Sequence, residues 1–355
     1  MAAATDLRIA SFNTELSRKG PGLLLADILS GDDPQVAAVV EVIVAVGPDI
    51  LLLQGLDYDL NALALEALAN RLRARGLDYP HLFAGPPNTG RRTGVDLDGD
   101  GRSDGPRDSQ GFGYFPGQDG MALLSRFPVD RDGLRDLSAL LWKDMPTATL
   151  PRAEGRPFPS AEAQAVQRLS TRAHWDVPVR VGETAIHLLA FHATPPVFDG
   201  PEDRNGLRNR DELRLWTLYL DGALPGLSPP EGPFVVLGDA NLDPVDGDGR
   251  SAAMARFLAD PRLRDPAPRS NGGVAASAQQ GGVNATHRGD PALDTADWDD
   301  GAEGDPGNLR VDYVLPSAEF EVTGAGVFWP AEGKMAETVA AASRHRLVWV
   351  DVALP

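Results

Sequence analysis

An α/β layered domain is the fold class this sequence predicts, on three observations. Apolar strand-like runs alternate with helical stretches as far as Gly76, strand-forming segments recur to the C-terminal end, and nothing between them reads as a repeat or an interdomain linker. The whole chain, 1–355, is therefore expected to form one domain carrying two long acidic loops, at about 85–119 and 271–308.

Leu7 to Asn13 alternates apolar and polar positions and reads as the first strand, with Glu15 just beyond it. Asp33-Pro34 offers an N-cap with proline at the first helical position, so Val36 to Val46 is predicted as a helix stopped by Gly47-Pro48. Asp49 to Leu53 is a buried strand running into Gln54-Gly55-Leu56-Asp57, and Leu60 to Arg75 is a helix ended by Gly76. Asp57 or Asp59 suits its N-cap. The polar segment 85–119 is too long for a simple connector and is expected to be functional or ion-ordered. Gly120 to Ser125 resumes as a strand, and 126–170 is expected to be loop with short strands. His174 to Val181 and Thr184 to Phe191 make a hairpin around Gly182-Glu183. Arg204 to Leu220 follows as a charged amphipathic helix with Arg210 and Glu212 on a solvated face, then Phe234 to Leu237 as a strand and Ala252 to Leu258 as a short helix. After the acidic loop at 271–308, Val311 to Leu315, Phe320 to Phe328 and Leu347 to Val352 complete the strands.

A hydrophobic content of 42% is ample for a core. The net charge of −18 and pI near 4.7 oppose binding to long duplex nucleic acid, whose phosphates need clustered Lys and Arg; a metal-neutralised phosphate site remains permitted. Without cysteine there is no disulfide, no thiolate zinc site and no cysteine nucleophile. No apolar run has the length of a membrane span, so a soluble protein is expected. Met1-Ala2-Ala3-Ala4 reads either as the scar of a trimmed leader, with a periplasmic or extracellular home, or as an ordinary cytoplasmic N-terminus.

The stretch with most chemical content runs from Phe234 through Gly238-Asp239-Ala240-Asn241 to Pro244: a strand that stops at a glycine and then delivers polar side chains. If the backbone stays extended, Asp239 and Asn241 share a face and offer oxygens suited to Mg²⁺, Mn²⁺ or Ca²⁺; alone, they also read as a turn. Asn13, Asp57, His192, Asp239 with Asn241, Asp312 and His345 each fall at or beside a strand end. His81, His174, His187 and His287 read as structural or surface residues. Asp96-Leu97-Asp98-Gly99-Asp100-Gly101, with Asp104 at the ninth position, has the spacing of half an EF-hand loop, but Arg107 stands where the twelfth-position glutamate belongs. A calcium-ordered loop or a solvated acidic turn both suit it, and Asp246-Gly247-Asp248-Gly249 is a shorter echo.

Taken in order, Ser11-Phe12-Asn13, the apolar run up to Gln54, Gly120 to Arg126, Phe191-His192, Gly238-Asp239-Ala240-Asn241, Arg310-Val311-Asp312-Tyr313 and Ser343-Arg344-His345-Arg346 resemble the endonuclease/exonuclease/phosphatase (deoxyribonuclease I-like) superfamily over nearly the whole chain. The resemblance implies a four-layer sandwich: two mixed β-sheets face to face, flanked by helices, with the site at one end. It implies a metal shell containing Asn13, with Asp239 orienting or deprotonating water and Asn241 holding a phosphate oxygen or the metal. His345, steadied by Asp312, would contact the scissile phosphate, and His192 would assist the leaving oxygen. Asn209 is a further candidate for reaching the substrate. Two positions depart from the family pattern: Gly55 replaces the usual glutamate after Gln54, and Arg344 the usual aspartate before His345. Asp57, two steps on, is the expected substitute ligand, and Arg344 is expected to turn toward substrate phosphate. The function implied is metal-dependent hydrolysis of a phosphodiester or phosphomonoester, with Mg²⁺ or Mn²⁺ at the site. A small phosphorylated metabolite, a lipid headgroup or a short oligonucleotide fits the acidic surface. An extracellular nuclease of the same fold, or a calcium-binding relative silenced through Gly55 and Arg344, are the alternatives.

Overall fold

The computed structural model describes residues 6–299, 301 and 304–354, so the reading of Met1 to Ala4 lies outside the described residues. Strands Glu321–Val327, Val348–Ala353, Asp6–Asn13, Ile50–Leu56, Gly120–Ser125 and His81–Ala84 form one sheet, in that spatial order. Asp312–Pro316, Phe234–Asp239, Thr184–His192, His174–Val181 and Arg135–Asp136 form the other. Each sheet holds one parallel pair among antiparallel ones, Asp6–Asn13 with Ile50–Leu56 and Phe234–Asp239 with Thr184–His192, so both are mixed.

Strand alternation sorts the core into layers. Leu7 and Ile9 face between the sheets with Ile50, Leu52, Val235, Leu237 and Val350, whereas Ala10 and Phe12 face the opposite way with Leu51 and Leu53. That outer face is covered by helices Pro34–Val46 and Leu63–Ala74 through Val39, Ile43, Leu65 and Leu68. Over the other sheet, Leu189, Phe191, Val236 and Leu315 lie under Leu213 and Trp216 of helix Arg204–Leu220 and Phe257 of Ser251–Leu258. A buried Leu, Val or Phe contributes about 1.5–3 kcal/mol, so strands apolar on both faces need cover on both sides. The result is helix, sheet, sheet, helix.

The expected caps form: Asp33 accepts from Val36 N at 2.8 Å, Gly47 closes that helix at φ 60°, and Asp59 rather than Asp57 takes Ala64 N at 2.9 Å. Four helices are additions to the sequence reading, Leu23–Ser30, Ala161–Val166, Lys334–Ala342 and, inside the segment expected to be an acidic loop, Asn271–Gln280. Its start is fixed by Ser270 Oγ, which accepts from Gly273 N at 3.0 Å, and by close packing: a Cβ on Gly272 would fall 2.2 Å from Trp329 O. The helix Arg204–Leu220 also departs from expectation. Glu212 is fully buried and accepts from the backbone amides of Thr171 (2.5 Å) and Thr194 (2.7 Å), while Arg210 pairs with buried Asp211. No helix among the described residues is long and apolar enough to cross a membrane.

Candidate active site

Register brings the rim of the five-stranded sheet together. Parallel pairing sets Asp239 opposite His192, and antiparallel pairing sets it opposite Asp312. The close approach needs Gly238, at φ 143°, since a Cβ there would lie 1.9 Å from Phe191 O. Asn13 reaches across from the other sheet, its Nδ2 donating to Asp239 Oδ2 at 2.9 Å; His192 Nε2 lies 3.2 Å from the same oxygen. A carboxylate only accepts, so His192 carries its hydrogen on Nε2 and leaves Nδ1 buried without a partner among the described residues. Asp239 Oδ1 takes the backbone N–H of Asn241 at 2.8 Å. The chain turns at this point, with Asn241 in the left-handed region at φ 47°, so Asp239 and Asn241 do not extend along one strand face. Asn241 Nδ2 instead donates to Ala193 O at 3.1 Å, and both residues line the same cleft.

His345 completes the group. Its Nδ1 donates to Asp312 Oδ2 at 2.9 Å, its Nε2 lies 3.5 Å from Asn13 Nδ2, and Trp298 packs edge-on with ring centroids 5.3 Å apart. Burial alone would lower the His345 pKa, but the charges of Asp312 and Asp239 and the Asp312 hydrogen bond lift it to about 9. His192 goes the other way: burial and the Arg172 charge outweigh Asp239, so it is held neutral. Burial would raise Asp239, yet both imidazoles and the His192 and Asn13 hydrogen bonds keep it well below the usual carboxylate range. Neutral pH therefore finds an ionised Asp239 between a neutral imidazole and an imidazolium. The cleft above them, about 720 Å³, is lined also by Glu15, Arg172, Arg344, Phe112 and Phe198.

A sequence profile of the Endonuclease/Exonuclease/phosphatase family matches residues 10–345. The chain belongs to this family. Solved structures agree on the fold: an endonuclease/exonuclease/phosphatase from Beutenbergia cavernae is similar at 21% identity and TM-score 0.56, covering 98% of this chain and 72% of that one. A family protein from Leptotrichia buccalis matches at 15% identity and TM-score 0.52, covering 98% and 100%. Sphingomyelinase C from Streptomyces griseocarneus matches at 18% and 0.50, covering 99% and 100%. None of the curated proteins matches. Family members are metal-dependent hydrolases of phosphoesters. The donor set fits a divalent ion through its oxygens, since ionised Asp239 meets Asn13 at the cleft floor with Asp312 and His345 inside the same 4.8 Å group, His345 as a charged donor rather than a ligand.

Against the family pattern, the structure moves several expected residues. Asp57 does not take the place left by Gly55. A register shift between Gln54 and Leu56, with Gly55 at φ 71°, breaks the two-residue alternation on which that substitution depended. Asp57 instead accepts from Ser17 Oγ (2.7 Å), Arg18 N (2.8 Å) and Asp119 N (3.0 Å), beside a neighbouring groove. Asn209 is buried behind the cleft, donating to Thr194 O and Ala240 O, both at 2.7 Å. Arg344 lines the cleft, but its Nε donates to Glu15 Oε1 at 3.0 Å. In the acidic loop the group within 4.8 Å is Asp96, Asp98 and Asp108; Asp100 accepts from Arg102 N at 2.7 Å, and neither it nor Asp104 joins. Asp108 is buried, fixed by Leu97 N and Gly105 N.

Two cleft residues were not singled out from sequence. Glu15, two positions after Asn13, was in view but without a role. Arg172 gave no signal: it follows the poorly patterned 126–170 segment and is held by Asp119 Oδ2, at 2.9 Å from Nε, and by Ala193 O at 3.2 Å.

Proposed function

We propose that this chain hydrolyses a phosphoester by in-line attack of water, with a small phosphorylated molecule, a lipid headgroup or a short oligonucleotide as substrate. The observation that carries the reading is the convergence on Asp239 of Asn13, His192 and the Asn241 amide, with His345 and Asp312 adjoining. Asn13, Asp239 and Asn241 would hold the divalent cation, Mg²⁺ or Mn²⁺, which supplies neutralisation of the charge that builds on the phosphate. Asp239, ionised and fixed at both oxygens, orients the attacking water. His345 is the protonated one of the two imidazoles and presents a charged donor to a phosphate oxygen, while Asp312 holds its ring. His192, neutral, steadies Asp239 through Oδ2, and Arg172 adds positive charge at the wall. The net charge of −18 favours compact substrates over long duplex DNA.

The test is turnover of bis(p-nitrophenyl) phosphate, p-nitrophenyl phosphate, sphingomyelin and plasmid DNA, each with Mg²⁺, Mn²⁺ and Ca²⁺. Turnover of a small ester is the expected result, and efficient cutting of plasmid alone would replace the substrate preference with the nuclease reading. A second reading, a silent calcium-binding relative, is favoured by Gly55 and by the Asp96, Asp98 and Asp108 group. It requires calcium-dependent thermal stabilisation with no turnover under any metal.

A further inference from the structure

The two departures from the family pattern meet in a single contact. A Cβ built on Gly55 would lie 2.7 Å from Asn13 Oδ1 and 2.7 Å from Glu15 N, so the space a side chain would enter at position 55 is the space beside Glu15. Glu15 itself is a non-glycine residue at φ 48°, a left-handed conformation that persists only where the surroundings impose it. Its carboxylate is held entirely by the segment carrying the other departure: Oε2 accepts from Arg344 N at 2.8 Å and Ser343 Oγ at 3.2 Å, and Oε1 from Arg344 Nε at 3.0 Å.

The nearby carboxylates differ in whether a partner is exposed to the cleft. Asp57 is held by two backbone amides and a hydroxyl, and Asp239 and Asp312 by buried imidazoles. Glu15 has as its counter-charge a guanidinium whose side chain is 61% exposed and lines the cleft. Nε and Nη2 of Arg344 both donate to Glu15 Oε1, and a phosphate oxygen pair offers that same guanidinium fork equivalent charge-assisted hydrogen bonds from the open side of the cleft, so an arriving phosphate competes for Arg344.

Resting on the phosphoesterase reading of the cleft, we propose that Glu15 is the carboxylate that completes the cation site in this chain, and that Arg344 is its resting counter-ion, given up when phosphate draws the guanidinium away. The site then has two exchangeable states. In one, Glu15 is neutralised by Arg344; in the other, Glu15 faces the cation and Arg344 the phosphate. Cation and phosphate bind with positive coupling, each tightening the other by the same factor.

The experiment measures Mn²⁺ binding by the electron paramagnetic resonance signal of the free ion, with and without inorganic phosphate, on the wild-type chain, Arg344→Gln and Glu15→Gln. Wild type is expected to bind Mn²⁺ about fivefold or more tightly with phosphate present. Arg344→Gln, a change at an exposed side chain, binds Mn²⁺ tighter by a similar factor without phosphate and no longer responds to it. Glu15→Gln binds about tenfold more weakly in both conditions. Wild-type Mn²⁺ affinity in either variant overturns the inference. If that happens while wild type still hydrolyses bis(p-nitrophenyl) phosphate with Mn²⁺, the phosphoesterase reading stands alone. Coupled binding without hydrolysis upholds the inference and removes the catalytic reading, and a wild-type chain that neither binds Mn²⁺ nor turns over ends both.

Discussion

The two sheets contribute to the site by different means. The rim of the five-stranded sheet is set by an unbroken ladder: Asp239 has His192 on one side and Asp312 on the other. The rim of the six-stranded sheet is irregular. Asn13 still ends its strand in register with Gln54, but Gly55 bulges, Glu15 turns left-handed, and Asp57 is carried out of the cleft. A regular ladder preserves side-chain direction through every residue, whereas one bulge moves all that follow it, so equal sequence spacing means different geometry on the two rims.

If chemistry resides on the regular rim, its loss should dominate. Asp239→Asn is expected to lower turnover of bis(p-nitrophenyl) phosphate about 10²–10⁴-fold with Mn²⁺, measured on the folded fraction, since its amide nitrogen meets a donor at either position and also costs about 1–3 kcal/mol of stability. Wild-type turnover in that variant would remove Asp239 from the mechanism and with it the contrast between the rims.

The regular rim also has a pH signature. His345 has a native pKa of about 9 against an ordinary value near 6.5, because Asp312 and Asp239 outweigh its burial. That stabilisation is fully present below about pH 6.5 and is lost as pH rises through 9, by about 3 kcal/mol in metal-free urea denaturation. Asp312→Asn should flatten this alkaline slope. One layer back, His174 hydrogen bonds to Ser170 Oγ and Glu212 O, and burial lowers it to about 3. Its contribution has the opposite sign, present above about pH 6.5 and reduced by about 2 kcal/mol at pH 5, so His174→Gln should moderate the acid limb.

At Gly55, where the irregular rim bulges, the expected effect is on stability. Gly55→Ala places a Cβ 2.7 Å from Asn13 Oδ1 and Glu15 N in a left-handed conformation, and should cost about 2 kcal/mol in chemical denaturation. An unchanged denaturation midpoint would mean that the bulge is not fixed by glycine.

What could be read from sequence follows the same division. Strands buried on both faces announce themselves as apolar runs, so the sandwich and the strand-end positions of Asn13, His192, Asp239 and Asp312 were legible, as was the Asp33-Pro34 helix start. The bulge was not, because a glycine near a strand end is equally compatible with straight continuation. Helix Asn271–Gln280 was hidden by its two glycines, which serve close packing, Gly272 on Trp329 and Gly273 on Pro291, rather than its propensity. Glu212 looked solvated because its partners are backbone amides of Thr171 and Thr194, distant in sequence and without periodicity. Arg344 stood out in sequence, but its partner Glu15 lies more than three hundred residues away and was legible only once both were placed.

Asp57 separates the two accounts of the irregular rim most sharply, although its effect is the smallest. Strand alternation made it a cation ligand, in which case Asp57→Asn would weaken Mn²⁺ binding. In the structure Oδ1 accepts from Ser17 Oγ and Asp119 N while Oδ2 accepts from Arg18 N, joining the strand end to the 15–18 segment and to the start of Gly120–Ser125. An asparagine oxygen can keep the first pair, but its amide nitrogen then faces the Arg18 N–H, donor against donor. Asp57→Asn should therefore cost about 1–2 kcal/mol of stability and leave Mn²⁺ affinity unchanged. Matched urea denaturation and Mn²⁺ titration read both quantities, and a weakened affinity at full stability would restore Asp57 to the cation site.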